Sequence, residues 1–170
     1  RDFISFSSFL KFNNNSYFYL PSTIPLELFD FENQTDKSFS MIFIVEPFDH
    51  TSDLTLLAKS DYSLQSNTFE VTEKSDRSLE IKLFSDSLNY LKFKTSTRAI
   101  PNKAHSIMFS YNNVNKEITL FINDKKVNMI KEEVGSYSHV NVEYPTLFAF
   151  TSVPTDVIYT NSSSTPSELY

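Results

Sequence analysis

Apolar side chains recur along this chain in runs of four to seven with a period of two, separated by turn-rich stretches, and no window of eleven or more carries a helical stripe. The pattern predicts strands at 3–12, 17–20, 39–45, 54–58, 68–72, 79–84, 88–94, 105–111, 117–122, 126–130, 139–143 and 146–151. In 79–84, Leu79, Ile81 and Leu83 alternate with Glu80 and Lys82, as in an antiparallel strand with one wet face. In 39–45 both sets, Phe39, Met41, Phe43, Val45 and Ser40, Ile42, Ile44, are largely apolar, which predicts a central strand with little surface toward water. About a dozen short strands with a reversal every eight to twelve residues predict an all-β chain folded as a two-sheet antiparallel sandwich of jelly-roll type.

The punctuation agrees with these boundaries. All seven prolines, at 21, 25, 47, 101, 145, 154 and 166, lie at or outside strand ends, where a missing N–H does no harm. The 170 residues include one glycine, Gly135, so reversals that need positive φ must use other residues. Asn and Asp tolerate the left-handed region best among the alternatives, and the stretch "ITLFINDKKV" at 118–127 places Asn123-Asp124 where a tight hairpin usually carries Asn-Gly. The φ requirement alone accounts for that pair as structural.

At 40% hydrophobic the chain suffices for one substantial core. The expected organisation is one domain over 1–160, followed by a Ser/Thr-rich tail or linker at 161–170. No cysteine means no disulfide and no thiolate metal site. The net charge of −6 and the absence of a basic stripe argue against nucleic acid as partner. No run reaches the roughly 18 apolar residues of a membrane span. The chain opens on Arg1 and is at once strand-like, which suggests a piece of a longer polypeptide.

Three segments in order, "NSYFYLPS" at 15–22, "KSFSMIFIVEPFDHTSDLTLLAKSD" at 37–61 and "KAHSIMFSYNNVNKEITLFINDKKV" at 103–127, resemble the laminin-G-like, concanavalin A-like jelly-roll superfamily. Ala104-His105 stands where such domains usually carry Trp-His, and Asp124 where they carry the hairpin glycine. The resemblance implies a recognition or adhesion module with an extracellular, cell-surface or virion location, binding a glycan or a protein at loops along one edge or on a sheet face. It also brings in calcium as the one cofactor to test for, held by loop oxygens. The loops "DHTSD" at 49–53 and "KSDYS" at 59–63 offer Asp49, Asp53 and Asp61, although solvated turns explain both stretches as well.

For a ligand site, rings beside short polar side chains are the clue, because sugars and flat protein partners are gripped that way. Tyr62 and Tyr137 are the candidate rings, with Asp61 and Asn112 beside them, and the chain's many tyrosines make packing the common fate of such rings. Some sandwiches of the superfamily are glycosidases with carboxylates two residues apart on one strand. Glu27, Asp30 and Glu32 are the nearest approach, and the intervening Leu28-Phe29 breaks the set. His50, His105 and His139 are too far apart in sequence to suggest a metal site, and no nucleophile elbow is present. Asn14, Asn33 and Asn161 begin sequons at about the frequency chance gives.

The sequence therefore predicts a non-enzymatic module with neither nucleic acid nor membrane insertion among its interactions. The first alternative is a structural packing domain of a phage fibre or large scaffold, for which an apolar outward face at Phe84, Phe121, Phe148 or Phe150 would speak. The second is a glycoside hydrolase on the same fold, which needs two carboxylates facing each other across a cleft.

Overall fold

Alternating side chains commit each run to one buried and one outward face, and such strands are stable only in layers that cover the buried face. A computed structural model describes the backbone of residues 17–20, 38–45, 53–61, 66–96, 104–140 and 146–149, and side chains at 38–45, 53–58, 68–96 and 104–140. Within these residues there are eleven strands and no helix. They are β1 (Tyr17–Leu20), β2 (Phe39–Val45), β3 (Leu54–Asp61), β4 (Ser66–Glu73), β5 (Leu79–Phe84), β6 (Tyr90–Thr95), β7 (His105–Asn112), β8 (Glu117–Ile122), β9 (Lys125–Val127), β10 (Met129–Val134) and β11 (Thr146–Ala149). Two antiparallel sheets result, a seven-stranded sheet in the order β1-β11-β3-β4-β5-β6-β10 and a four-stranded sheet in the order β2-β7-β8-β9.

The core lies between them. Leu56, Leu57, Phe69, Val71, Leu79, Ile81, Leu83, Leu91 and Phe93 of the larger sheet meet Val45, Ile107, Phe109, Tyr111, Leu120 and Ile122 of the smaller one. Phe39 ties the layers together, its ring centroid 6.4 Å from Phe69 across the interior and 6.1 and 5.7 Å from Phe109 and Tyr111. A register shift between Thr55 and Leu57 leaves Leu56 as an extra residue on β3, and both leucines are buried there.

The turns follow the expected chemistry only in part: of the four non-glycine residues with positive φ among those described, Asn123 and Asp124 are of the expected type, and Arg77 and Lys116 are not. Asn123 and Asp124 have φ of 48° and 62°, the double positive φ of a type I′ hairpin. Asn123 also binds the start of β7, its Oδ1 accepting from the Ser106 N–H at 3.0 Å and its own N–H donating to the Ser106 carbonyl at 3.1 Å. The β4–β5 reversal puts Arg77 at φ 66° and pairs its guanidinium at 2.5 Å with Glu73, whose side chain is fully buried. Gly135, with φ 67°, sits where β10 ends against the β5–β6 hairpin, and a Cβ there would lie 2.2 Å from Asn89 Oδ1 and 2.7 Å from the Leu88 carbonyl oxygen.

Three expectations need correction. The strand expected at 126–130 is two strands broken at Asn128, β9 in the four-stranded sheet and β10 in the other, because the chain crosses from one layer to the other there. His139 and Val140 are not in a strand, while 3–12 and 141–143 lie outside the described residues. Most consequentially, β2 is not covered on both faces. It stands at one end of its sheet order among the described residues, Phe39, Met41 and Phe43 turn to the core, and Ser40, Ile42 and Ile44 are exposed.

Candidate functional site

The register decides which predicted site residues meet. Lys59, Phe69, Leu83, Leu91 and Glu133 form one lateral row near one end of the larger sheet, and the Phe39 ring links that row to Tyr111 and so to Asn112. Asp61, Asn112 and Tyr137 thus belong to the same end of the sandwich. Tyr62 lies outside the described residues, as does Asp49.

This end is largely occupied with holding itself together. Tyr137, expected as an exposed ring, is only 4% exposed: the chain after β10 folds it inward, where its phenol oxygen is 3.3 Å from that of Tyr111. Lys116, at φ 54° in the β7–β8 turn, lies over the ring at 5.0 Å from its centroid and donates to the Tyr137 carbonyl at 3.0 Å. Asn112 turns its Oδ1 back to accept from the Val114 N–H at 2.9 Å. Beside them Asp86 accepts from Asn89 Nδ2 and from the N–H groups of Leu88 and Asn89, which hold its carboxyl below the usual range. Asn89 Oδ1 in turn accepts from the Ser136 N–H at 2.7 Å.

Next to this latch, Ser138 Oγ is 2.9 Å from His139 Nδ1, the nearest thing to a nucleophile–base pair among the described residues. No carboxylate orients that imidazole there, and the neighbouring Ser85 Oγ, which donates to the His139 carbonyl at 2.6 Å, itself occupies the N–H groups of Ser138 and His139 that could otherwise face an oxyanion. The arrangement fastens the 135–139 segment to the β5–β6 hairpin.

Asp53 is at the opposite end. β3 separates it from Asp61 by about 25 Å at the rise of a strand, so the two cannot ligate one calcium ion. The Asp53 carboxylate already has a cation, the Lys74 ammonium, and accepts from the Ser75 N–H at 2.9 Å. Partial burial pushes this carboxyl up, but the hydrogen bonds from Lys74 and Ser75 and the lysine charge outweigh it and hold the group below its ordinary value. Among the described residues no group of three or more His, Asp or Glu side chains could hold a metal. The Glu27, Asp30 and Glu32 set, the three sequons and His50 fall outside those residues.

The outer faces differ sharply. On the larger sheet, the rows Glu70-Lys82-Lys92-Glu132 and Thr72-Glu80-Lys94-Ile130 interleave opposite charges. Lys82 lies 3.2 Å from Glu80 and 3.9 Å from Glu70, and Lys92 lies 2.5 Å from Glu132. Glu70 and Glu80 thus share the Lys82 ammonium. Phe84, expected as an outward apolar candidate, is 6% exposed and stacks on Tyr90 at 5.2 Å, while the side chains of Phe148 and Phe150 lie outside those described.

On the smaller sheet the outward rows are Ser40-Ser110-Thr119, Ile42-Met108-Phe121-Lys126 and Ile44-Ser106. Ile42 is 69% exposed, Ile44 53% and Met108 38%, and Phe121 is half-buried beside them. An aliphatic stripe flanked by hydroxyls, with carboxylates absent from its three rows, is the one contiguous apolar sheet surface among the described residues. Sequence reasoning reached Phe121 but missed Ile42, Ile44 and Met108. The signal was the second apolar set of β2, which was assigned to a covering layer because apolar pairs usually signify burial.

No protein-family model matches the chain, and neither a curated protein nor a solved structure matches it significantly.

Proposed function

We propose that this chain is a non-enzymatic recognition module, a jelly-roll sandwich of laminin-G-like type within a larger surface or virion protein, and that its ligand is a protein docked on the outer face of the four-stranded sheet. The observation that carries the reading is the exposure of Ile42, Ile44 and Met108 in adjoining rows of one face. Exposed apolar residues are ordinary when scattered, but contiguous ones rimmed by polar groups mark interaction surfaces. A protein is favoured over a glycan because sugars are stacked on exposed rings, and none of the exposed large hydrophobic residues described is aromatic. The resemblance of 37–61 and 103–127 to laminin-G-like segments supports the module reading and its location outside the cell or on a virion.

The test is photo-crosslinking in the natural assembly, with a benzophenone amino acid at Ser40 on this face or at Lys92 on the charged face. Protein adducts from position 40 and none from 92 are expected. Adducts from 92 alone, or a glycan-array signal abolished by Asn112→Ala, would replace the proposed site.

A further inference from the structure

The charge around the apolar stripe narrows the partner. Eight lysine side chains are described, and six have a partner: Lys74, Lys82, Lys92 and Lys94 face carboxylates, Lys116 the Tyr137 carbonyl, and Lys131 the Asn115 carbonyl. Lys125 and Lys126 are exposed on β9 and, among the described residues, bond to nothing. Lys126 ends the row that begins at Ile42, so the face runs from aliphatic through aromatic to cationic in a chain whose net charge is −6.

Size and backbone chemistry narrow it further. Four strands set Ile42 and Lys126 about 14 Å apart, and Ser40 to Ile44 covers about 13 Å along β2. That is well short of the roughly 800 Å² each partner contributes to a stable globular interface, but it suits one helix, about 10–12 Å across. A segment lying on a sheet face also receives no main-chain hydrogen bonds from the sheet, unlike one added at an edge, so it must satisfy its own backbone groups. A helix does so.

We infer that the face formed by Ile42, Ile44, Met108 and Phe121 takes a single amphipathic helix running across the strands, its apolar stripe over these residues and a carboxylate at the end that reaches Lys126, the lysine in the outward row. The 14 Å from Ile42 to Lys126 corresponds to about nine helical residues, so the apolar positions occupy the first two turns and the acidic ones the next. This inference rests on the docking face proposed above and adds the partner's form and charge.

The probes are two synthetic amphipathic helices of about 16 residues, identical except that the polar residues one turn beyond the leucine stripe are glutamates in one and lysines in the other. Titration into the folded chain is followed through the methyl resonances of Ile42, Ile44 and Met108. The glutamate peptide is expected to shift these methyls and to bind about 1.5- to 5-fold more tightly than the lysine peptide, the span of one exposed ion pair. The Lys126→Glu variant should reverse the order. Equal binding by both peptides would overturn the acidic-helix inference while leaving the docking face standing. No methyl shift with either peptide at millimolar concentration would overturn both. Concentration-dependent self-association lost on Ile42→Asp would replace the helix with a second copy of the chain and so overturn the inference as well.

Discussion

Replacing Gly135 with alanine probes the one place where this glycine-poor chain keeps a glycine. The residue has φ 67°, and an L side chain in the left-handed region costs about 1–2 kcal/mol. The added Cβ would meet Asn89 Oδ1 at 2.2 Å and the Leu88 carbonyl oxygen at 2.7 Å, both too close to persist. Asn89 cannot simply swing away: its Oδ1 accepts from Ser136 at 2.7 Å and its Nδ2 is bound to both Asp86 oxygens at 2.9 and 2.7 Å. Giving up the Ser136 bond costs about 0.5–1.5 kcal/mol, and alanine's lower unfolded-state entropy returns about 0.4–1. The net expectation is a loss of about 0.5–3 kcal/mol, to be read as a lower urea midpoint at unchanged m-value. A Gly135→Ala cost that shrinks when Asn89 is also alanine would assign the excess to the clash, and Gly135→Asn should recover part of the φ penalty but not the clash. A Gly135→Ala protein within 0.5 kcal/mol of wild type, on the order of an ordinary surface substitution, would refute the reasoning.

Three further outcomes follow from other parts of the fold. Glu73→Ala removes the buried carboxylate that pairs with the Arg77 guanidinium and should cost about 3–5 kcal/mol by chemical denaturation, whereas a loss below about 1 kcal/mol would count against the pair as a buried one. Asp124→Gly supplies the residue preferred at the second centre of a type I′ turn, and a gain of up to about 1 kcal/mol in the same assay is expected, with destabilisation counting against the turn assignment. Asp53 has a folded-state pKa below its ordinary 3.8, so its contribution is fully present above that value and is lost as pH falls through the lower folded value. The stability gap between wild type and Asp53→Asn, under about 1 kcal/mol because the pair is solvent-screened, should therefore close below pH 3.8, and a gap unchanged at lower pH would exclude the Lys74 contact as its source.

What was legible in the sequence was local. Strand periodicity placed 79–84 with its inward Leu79, Ile81 and Leu83, and the Asn123-Asp124 reversal followed from the φ demands of a tight hairpin. Both depend on neighbours a few residues away, so alternation and turn chemistry were enough. The candidate site was much less legible. Tyr137 looked like a loop ring and is a core residue, because its burial depends on Tyr111 and Lys116, 26 and 21 positions away. Asp53 and Asp61 looked like neighbouring loop carboxylates and are held at opposite ends of β3.

The sequence by itself determined that the chain forms β layers and that the tight reversal at 123–124 is built on an amide and an acid residue, since steric and solvation preferences act within each strand and turn. Only the tertiary structure decided which apolar set of β2 is covered, that 126–130 divides between two sheets, and that Lys126 stays unpaired beside an aliphatic stripe among the described residues. Burial and charge pairing are properties of neighbours across the sheets, and an alternating pattern does not record which of two similar faces will meet the opposing layer.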